Sequence, residues 1–225
     1  MKIFNYSKQS IDKADINAVT KILKSKYLTK GKVTINFEKK IKNFCKSKYA
    51  CATINASASL IMACKSIGIS KNDYVWTSNI TYIASINCAL HLGAKIKLID
   101  IDQTNNICIK ELKKNLIETK KKKMLPKALI VVHLSGLPCN LKEIKKLAKI
   151  YKFKIIEDAS HAFGSTYNGS KIGSCEYSDL TIFSFHPVKN ITTAEGGAVT
   201  TNDYNLYKKL LLIRENGHDM SKIDI

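Results

Sequence analysis

Short apolar runs alternate with amphipathic stretches along most of the chain. The apolar runs have the length of strands, as in YVWTS at 74–78 and ALIVV at 128–132. The stretches between them place apolar residues at helical spacing. This order predicts an α/β fold, built from βαβ units around a mostly parallel central sheet that helices cover on both faces. Strands are predicted at 50–55, 74–78, 94–102, 127–134, 153–159, 179–185 and 197–202, and helices at 57–67, 82–92, 141–151 and 204–215.

The first 45 residues have a different pattern. Asp12 is the predicted N-cap of an amphipathic helix, and a second amphipathic segment follows Gly31 and extends to Phe44. No Pro-, Gly- or Ser-rich linker separates these segments from the alternating part. We therefore expect residues 1–45 to form a helical arm packed on a large α/β domain of residues 46–225. The apolar face of the first helix comprises Ile11, Ile16, Val19, Ile22 and Leu23.

The composition is that of an ordinary globular protein. The chain has 225 residues, of which 45% are hydrophobic and 24% are charged. No apolar run approaches the roughly 20 residues that span a bilayer. The first residues, MKIFNYSKQS, lack the apolar core of a signal peptide. We therefore expect a cytoplasmic protein that does not enter a membrane.

The formal net charge of +19 makes nucleic-acid binding one candidate function. Nearly all of the 37 basic residues are lysines, however, and Arg214 is the single arginine. Arginine is the residue favoured for bidentate phosphate and base contacts. The lysines are also spread over helix-like segments, which favours a solvated surface and no nucleic-acid partner. Lys120 to Lys123 form the one dense basic run and predict an exposed loop.

The seven cysteines occur singly, with no C-x-x-C pair. An odd number of isolated cysteines predicts neither a disulfide framework nor a metal site. We expect most of them to be small apolar residues of the core.

Chemically active groups follow the predicted strands at their carboxyl ends, which is where active sites of open α/β sheets lie. Strand 50–55 leads directly into a helix, so Ser57 and the backbone N–H of Ala58 form a predicted anion site at its start. Strand 74–78 leads to Tyr82 at another helix start, where the ring supplies an aromatic face.

Later strands deliver ionisable groups to the same edge of the sheet. Asp158 lies at the end of one such strand and is followed by His161, while Ser184 and Lys189 lie at and beyond the end of the next. The collected set is an anion site, an aromatic face, a carboxylate and a lysine. Pyridoxal phosphate requires all four together.

The chemistry of that cofactor gives each group a role. A helix N-terminus and hydroxyl groups hold its phosphate, a planar side chain covers its ring, and a carboxylate such as Asp158 keeps the pyridine nitrogen protonated. Lys189 would form the Schiff base and, once a substrate amine has displaced it, act as the general base. The sequence therefore predicts a pyridoxal-phosphate enzyme with Lys189 as its catalytic residue.

Three segments resemble motifs of one protein family, in the same order and spacing. They are VVHLSGLPCNL at 131–141, IEDASHAFGS at 156–165 and FSFHPVKNITTAEGGAVTTND at 183–203. In this combination they resemble the DegT/DnrJ/EryC1/StrS family of sugar-nucleotide aminotransferases. The similarity runs from about Phe4 to Gly217, and the opening segment, with ITTAEGGAV, is similar to the branch of pseudaminic acid synthesis.

This resemblance implies a fold type I pyridoxal-phosphate transferase, of which the chain forms the large domain without the small C-terminal domain. It places the Schiff base, an internal aldimine, on Lys189 and the pyridine contact on Asp158. It also places His161 near the phenolic oxygen of the cofactor and Tyr82 against the ring. The phosphate ligands that it implies are Ser57, the amide of Ala58 and Ser184.

The reaction implied by the resemblance is amino-group transfer from an amino acid, glutamate in the first instance, to a nucleotide-linked 4-keto-6-deoxy sugar. For the branch named above, this is a UDP-sugar of pseudaminic acid or related cell-surface glycan synthesis. Sugar dehydratases of the same family carry histidine in place of the lysine, so Lys189 favours transamination.

Family members act as homodimers and continue well beyond an R-x-x-G segment, which reads RENG at 214–217 here. The resemblance therefore implies a homodimer that binds a nucleotide sugar and an amino acid, from a chain truncated at its C-terminus. One alternative is a truncated, non-catalytic fragment that keeps the fold and the cofactor half-site. A nucleic-acid-binding protein is the other alternative, and charge alone favours it.

Overall fold

The computed structural model describes residues 7–122 and 124–218 of the chain. All of the predicted strands and helices are present there, with ends shifted by a few residues. The strands are β1 (Tyr49–Thr53), β2 (Tyr74–Ser78), β3 (Lys95–Ile99), β4 (Ala128–Val132), β5 (Lys154–Asp158), β6 (Thr166–Tyr167), β7 (Ser170–Lys171), β8 (Leu180–Ser184) and β9 (Gly197–Thr201). The helices are α1 (Lys13–Leu23), α2 (Lys32–Cys45), α3 (Ala56–Ser66), α4 (Ala84–Leu90), α5 (Ile109–Lys120), α6 (Leu141–Tyr151) and α7 (Tyr204–Arg214), with a short 3-10 helix at Leu134–Gly136.

A seven-stranded sheet in the order β1-β9-β8-β5-β4-β2-β3 forms the centre of the described residues. Strands β8, β5, β4, β2 and β3 are parallel, and β9 runs antiparallel to both β8 and β1. The prediction of a mostly parallel α/β sheet is therefore confirmed. Parallel strands end at the same edge, where the register pairs Asp158 with Val132 on one side and Ile182 on the other. The sequence pattern does not predict the short antiparallel pair β6–β7.

Two hydrophobic layers cover the faces of the sheet. Trp76, Phe183 and Phe185 belong to one layer, and Leu60 and Ile130 belong to the other. Every residue of β4, β8 and β9 is buried, as expected for strands that are covered on both faces. The core therefore leaves the strand ends and the loops that follow them for polar chemistry.

Helix α1 begins where the sequence predicts, because Asp12 caps it. The Asp12 carboxylate accepts the N–H groups of Ala14 and Asp15, at 2.7 and 3.0 Å. The Asp15 carboxylate in turn accepts the N–H of Asp12 at 3.1 Å, which completes a reciprocal capping box. These bonds satisfy backbone donors that the first turn of a helix leaves free.

The division of the chain into an arm and a domain stays a prediction. Helix α2 contacts the sheet through the buried Ile41 and Cys45, whereas no residue of α1 is buried in the described structure. Residues 1–6 of the predicted arm, which include the start of the family resemblance, lie outside the described part, as do residues 219–225 of the predicted domain.

The prediction of an exposed loop holds for only part of the basic run, whereas most of the cysteines are buried, as the sequence predicts. Lys120 ends α5, Lys121 and Lys122 are exposed, and Lys123 lies outside the described residues. The cysteines are free thiols and are buried, apart from the half-buried Cys108. No group of three or more metal-ligating side chains occurs in the described part of the chain. None of the helices described there is long and apolar enough to cross a membrane.

Candidate active site

A cavity of about 520 Å³ opens at the carboxyl ends of β4, β5 and β8, next to the start of α3. This edge is where active sites of open α/β sheets lie. Six of the predicted site residues line it, namely Ser57, Tyr82, Asp158, His161, Ser184 and Lys189. Ala58, the remaining predicted residue, is not among the residues that line the cavity.

Asp158 is held by hydrogen bonds to both of its carboxylate oxygens. It is the last residue of β5 and is 5% exposed. Ser85 of α4 donates its hydroxyl to Asp158 Oδ2 at 2.6 Å. Ser160 donates its hydroxyl to Asp158 Oδ1 at 2.6 Å and its N–H to the same oxygen at 3.2 Å. Because each bond has a charged acceptor, together they fix the orientation of the carboxylate at the cavity wall.

Lys189 lies in the loop between β8 and β9, which folds back on Phe185. The hydroxyl of Thr192 and the N–H of Thr193 both donate to Phe185 O, at 2.9 and 3.0 Å. The N–H of Lys189 donates to His186 O at 2.9 Å. The loop is thus closed by its own backbone, and it carries the lysine to the cavity.

The environment of Lys189 favours a reactive amine. Burial lowers the pKa of Lys189 from its ordinary value, and the attraction of Asp158 opposes this shift only in part. At a given pH, the Lys189 amine is therefore neutral in a larger fraction of the molecules than a fully solvated lysine would be. A neutral amine is the form that attacks a carbonyl carbon or accepts a proton.

His161 is half-buried in the same cavity. Burial lowers its pKa, the positive charge of Lys189 lowers it further, and Asp158 acts in the opposite direction. The backbone at His161 is in contact with the loop that follows β4. A Cβ added at Gly136 would lie 2.7 Å from His161 O, and Gly136 has a φ of +84°. The glycine of the LSGLP segment is thus required for the close approach of this loop to His161.

The first turn of α3 presents backbone N–H groups to the cavity. Asn55 is the N-cap, and its side chain accepts the N–H of Ala58 at 2.9 Å. Ala56 and Ser57 line the cavity, and their N–H groups have no acceptor within the helix. Ser57 thus lies at the start of α3, where the sequence predicts an anion site, whereas the N–H of Ala58 is directed to Asn55.

Strand β9 passes directly against the start of α3. A Cβ added at Gly197 would lie 2.5 Å from the carbonyl carbon of Asn55 and 2.7 Å from Thr53 Oγ1. A Cβ added at Gly196 would lie 2.2 Å from Thr193 Oγ1. Gly197 therefore permits the close approach of β9 to Asn55, the N-cap residue of α3, whereas Gly196 leaves room for Thr193 in the loop that carries Lys189.

Tyr82 and Ser184 offer different groups to the cavity. Tyr82 precedes α4 and is 74% exposed. Ser184 is the last residue of β8 and is buried, and its hydroxyl oxygen accepts the N–H of His186 at 3.5 Å. An exposed aromatic ring and a recessed hydroxyl thus line the same space.

The prediction from sequence did not include Ser85 and Ser160, the two donors to Asp158. Ser160 lies within the segment IEDASHAFGS, so its proximity to the carboxylate is readable from the sequence. Ser85 lies 73 positions before Asp158, and no pattern in the sequence indicates their contact. His186 and Glu195 also line the cavity.

This chain is similar to known proteins in sequence and in fold. The sequence model described as the DegT/DnrJ/EryC1/StrS aminotransferase family matches residues 9–224. The chain is 43% identical over 215 residues to the UDP-4-amino-4,6-dideoxy-N-acetyl-beta-L-altrosamine transaminase of Campylobacter jejuni subsp. jejuni serotype O:23/36. That match covers 96% of this chain and 56% of the relative.

Two solved structures show the same architecture. Helicobacter pylori PseC, described as an aminotransferase involved in the biosynthesis of pseudoaminic acid, aligns with a TM-score of 0.91 at 33% identity over 100% of this chain and 58% of its own. Spr1654 of Streptococcus pneumoniae, a candidate sugar aminotransferase solved in its PLP form, aligns with a TM-score of 0.82 at 27% identity over 93% of this chain and 57% of its own. The chain thus spans a little more than half the length of these proteins.

Proposed function

The chain belongs to the DegT/DnrJ/EryC1/StrS aminotransferase family, and from this premise we propose that it binds pyridoxal phosphate for amino-group transfer to a nucleotide-linked sugar. The observation that carries the proposal is the meeting of Lys189, Asp158 and Ser57 at one cavity. A lysine, a carboxylate and an anion-binding helix start are groups that this cofactor requires. The match covers only 56% of the Campylobacter relative. The aminotransferase activity of that full-length protein is therefore proposed for this chain and is not taken as established.

The described residues fit the cofactor in size and in donor set. A cavity of about 520 Å³ is within the usual range for small-molecule sites. Asp158, held by Ser85 and Ser160, would contact the ring nitrogen. The helix start at Ser57 would bind the phosphate, while Ala58 would contribute through the helix, since Asn55 accepts its N–H. The remaining assignments are Ser184 to the phosphate, Tyr82 to the ring face, His161 to the phenolic oxygen and Lys189 to the aldehyde.

Pyridoxal phosphate supplies, when bound, an aldehyde that condenses with amines and a protonated ring that withdraws electrons. Asp158 would hold the proton at the ring nitrogen, because its fixed carboxylate lies at the cavity wall. Lys189, with a pKa lowered by burial, would offer a neutral amine to the aldehyde carbon. When released from that carbon, the same amine would move the proton at the reacting carbon of the substrate.

The finer proposal concerns the two substrates. The acceptor would be a UDP-linked 4-keto-6-deoxy sugar of pseudaminic acid or related glycan synthesis, and the donor would be glutamate. The printed functions of the Campylobacter relative and of Helicobacter pylori PseC support this choice of sugar. Specificity for one sugar depends on pocket contacts and not on the cofactor groups.

We also propose that two copies of the protein pair. Ile16, Val19 and Leu23 of α1 are 57%, 60% and 67% exposed, and so form an apolar strip without cover in the described structure. A strip of this kind supports a protein partner. Nucleic acid is not part of the proposal, because the family relationship accounts for the site without it.

Borohydride trapping tests the cofactor proposal. The purified chain is incubated with pyridoxal phosphate, reduced and digested, and the modified lysine is mapped by peptide mass. We expect selective labelling of Lys189 among the many surface lysines. The label should disappear in Lys189→Ala. Asp158→Asn should keep the lysine but reduce the labelling, because the ring nitrogen loses its anionic partner.

The outcome separates the candidate functions. Random labelling of surface lysines, in a chain shown to be folded by circular dichroism, would contradict the cofactor site. Selective labelling of Lys189 without amino transfer from glutamate to a UDP-linked 4-keto sugar would favour the alternative, a cofactor-binding polypeptide without turnover. Selective labelling together with transfer would support the full proposal.

A further inference from the structure

A buried pair of ionisable side chains lies beside the candidate site and has no role in the proposed chemistry. His133 follows β4 and is 1% exposed, and Glu157 of β5 is 2% exposed. His133 Nε2 and Glu157 Oε2 are 2.7 Å apart. Burying such groups costs free energy even when they are paired, so the pair is not explained by stability alone.

Glu157 and Asp158 are consecutive residues of β5 and therefore point to opposite faces of the sheet. Thr181 donates its hydroxyl to Glu157 Oε1 at 3.0 Å, and Ser178 donates to the same oxygen. Burial raises the pKa of Glu157, but the bonds from His133, Ser178 and Thr181 outweigh it and lower the pKa. The end of β5 is thus held on one face through Glu157 and on the other through Asp158.

His133 contacts both of these residues. Its backbone N–H donates to Asp158 O at 3.1 Å, while its ring reaches Glu157. Its Nδ1 accepts the N–H of Cys139 at 3.2 Å. Nδ1 must be unprotonated to accept this bond, so the ring carries one proton. We assign that proton to Nε2, from which it is donated to Glu157.

The loop that His133 begins forms part of the cavity wall. Leu134 lines the cavity, and Gly136 packs against the backbone of His161. The loop is also tied to buried Asn106, whose side chain accepts the N–H of Leu134 at 3.2 Å and donates to Leu137 O at 3.0 Å. A substitution of His133 would therefore disturb both the end of β5 and the wall of the cavity.

We propose that His133 is a positioning residue for the candidate site. Its Nε2–H bond to Glu157, together with its N–H bond to Asp158, locks the end of β5 so that the Asp158 carboxylate meets the ring nitrogen of the cofactor. The inference rests on the proposed function, because it concerns the same carboxylate and the same cofactor atom. If His133 positions Asp158, its substitution should weaken the contact with the ring nitrogen in particular. If His133 only supports the fold, its substitution should weaken all contacts with the cofactor alike.

The test compares pyridoxal phosphate with its 1-deaza analogue, in which carbon replaces the ring nitrogen. Affinities of the full chain for the two ligands are measured by absorbance titration. Wild-type chain should prefer pyridoxal phosphate, and Asp158→Ala should abolish the preference. His133→Asn keeps an acceptor near the position of Nδ1 but removes the donor to Glu157. We expect this variant to lower the preference about ten-fold, because a displaced Asp158 would weaken its own charge-assisted bond to the ring nitrogen.

His133→Gln is the matched control, because its amide places a donor near the position of Nε2 and should keep most of the preference. A purely structural His133 would weaken the binding of both ligands equally, and an unchanged preference in His133→Asn would overturn the proposal. If His133→Asn does not fold, Glu157→Met takes its place, because methionine has a similar length but no oxygen to accept the His133 Nε2–H, with the same expected loss and the same contrary result. A wild-type chain that binds the two ligands equally would instead contradict the proposed function.

Discussion

Ser85 Oγ donates a hydrogen bond of 2.6 Å to Asp158 Oδ2, although the two residues lie 73 positions apart. Ser85 is fully buried on α4, and Asp158 ends β5. The bond joins a helix that packs on the sheet to the strand end that carries the carboxylate of the candidate site. A core contact thus sets the orientation of a group that faces the cavity.

Ser85→Ala should weaken cofactor binding. The change leaves one oxygen of a buried carboxylate without its donor, and a lost bond to a charged group costs about 1.5–3 kcal/mol. Part of this cost should be seen in binding, because a carboxylate that has lost its donor must be reoriented toward the ring nitrogen, and we expect the dissociation constant for pyridoxal phosphate to rise by up to about ten-fold in an absorbance titration. Ser66→Ala is the matched control, since Ser66 is also buried and donates to Ala63 O at 2.8 Å, away from the cavity. Equal losses in the two variants would contradict the assigned role of Ser85.

Gly197→Ala should displace the start of α3. The new Cβ would lie 2.5 Å from the carbonyl carbon of Asn55, and backbone at this distance has to move. Overpacking of this kind costs about 1–3 kcal/mol in the free energy of unfolding, measured by urea denaturation. Because the start of α3 is the proposed phosphate site, affinity for pyridoxal phosphate should fall more than affinity for pyridoxal.

Gly31→Ala provides a comparison for this variant. Gly31 has a φ of −80°, and an added Cβ would lie 3.2 Å from the Cβ of Tyr27, a contact that a small shift relieves. It should leave the ratio of the two affinities at the wild-type value. If Gly197→Ala also leaves that ratio unchanged, then the start of α3 does not hold the phosphate.

The strand ends were predictable because apolar runs of strand length mark buried parallel strands, and their last residues include Asp158 and Ser184. The antiparallel direction of β9 was not, because an apolar run has the same pattern in either direction. The hydrogen bond from the Ala58 N–H to the side chain of Asn55 was not predicted either. This bond occupies a donor that the sequence had assigned to the anion site. Likewise, Ser85 contacts Asp158 only because α4 packs on the sheet. The local sequence around Ser85 does not indicate which part of the chain it packs against.

Lys189→Met should increase the free energy of unfolding near neutral pH. Burial lowers the pKa of Lys189 in the folded chain, and Asp158 opposes this only in part. Between that lowered pKa and the ordinary value of 10.5, the unfolded chain binds more protons, so wild-type stability rises with pH. Methionine removes the cost of the buried charge. The difference in the free energy of unfolding between Lys189→Met and the wild-type chain should therefore shrink as pH rises through this window.

Urea denaturation at about pH 7 and about pH 11 measures this difference. Lys149→Met is the control for a methionine at a former lysine position, because Lys149 is exposed on α6. Equal gains in the two variants at the lower pH would show that burial of Lys189 is not the cause.

Lys189→Met should also raise the pKa of His161. Burial is the largest cause of the lowered His161 pKa, the Lys189 charge is the second, and Asp158 acts in the opposite direction. Removing the ammonium group leaves burial opposed by Asp158, so the titration midpoint of the His161 ring should move upward in an NMR pH titration. Lys149→Met should leave it in place, because Lys149 lies on α6, and the cavity residues do not include it. An unchanged midpoint in Lys189→Met would mean that the two side chains do not share the cavity, and the proposed division of roles between them would fail with it.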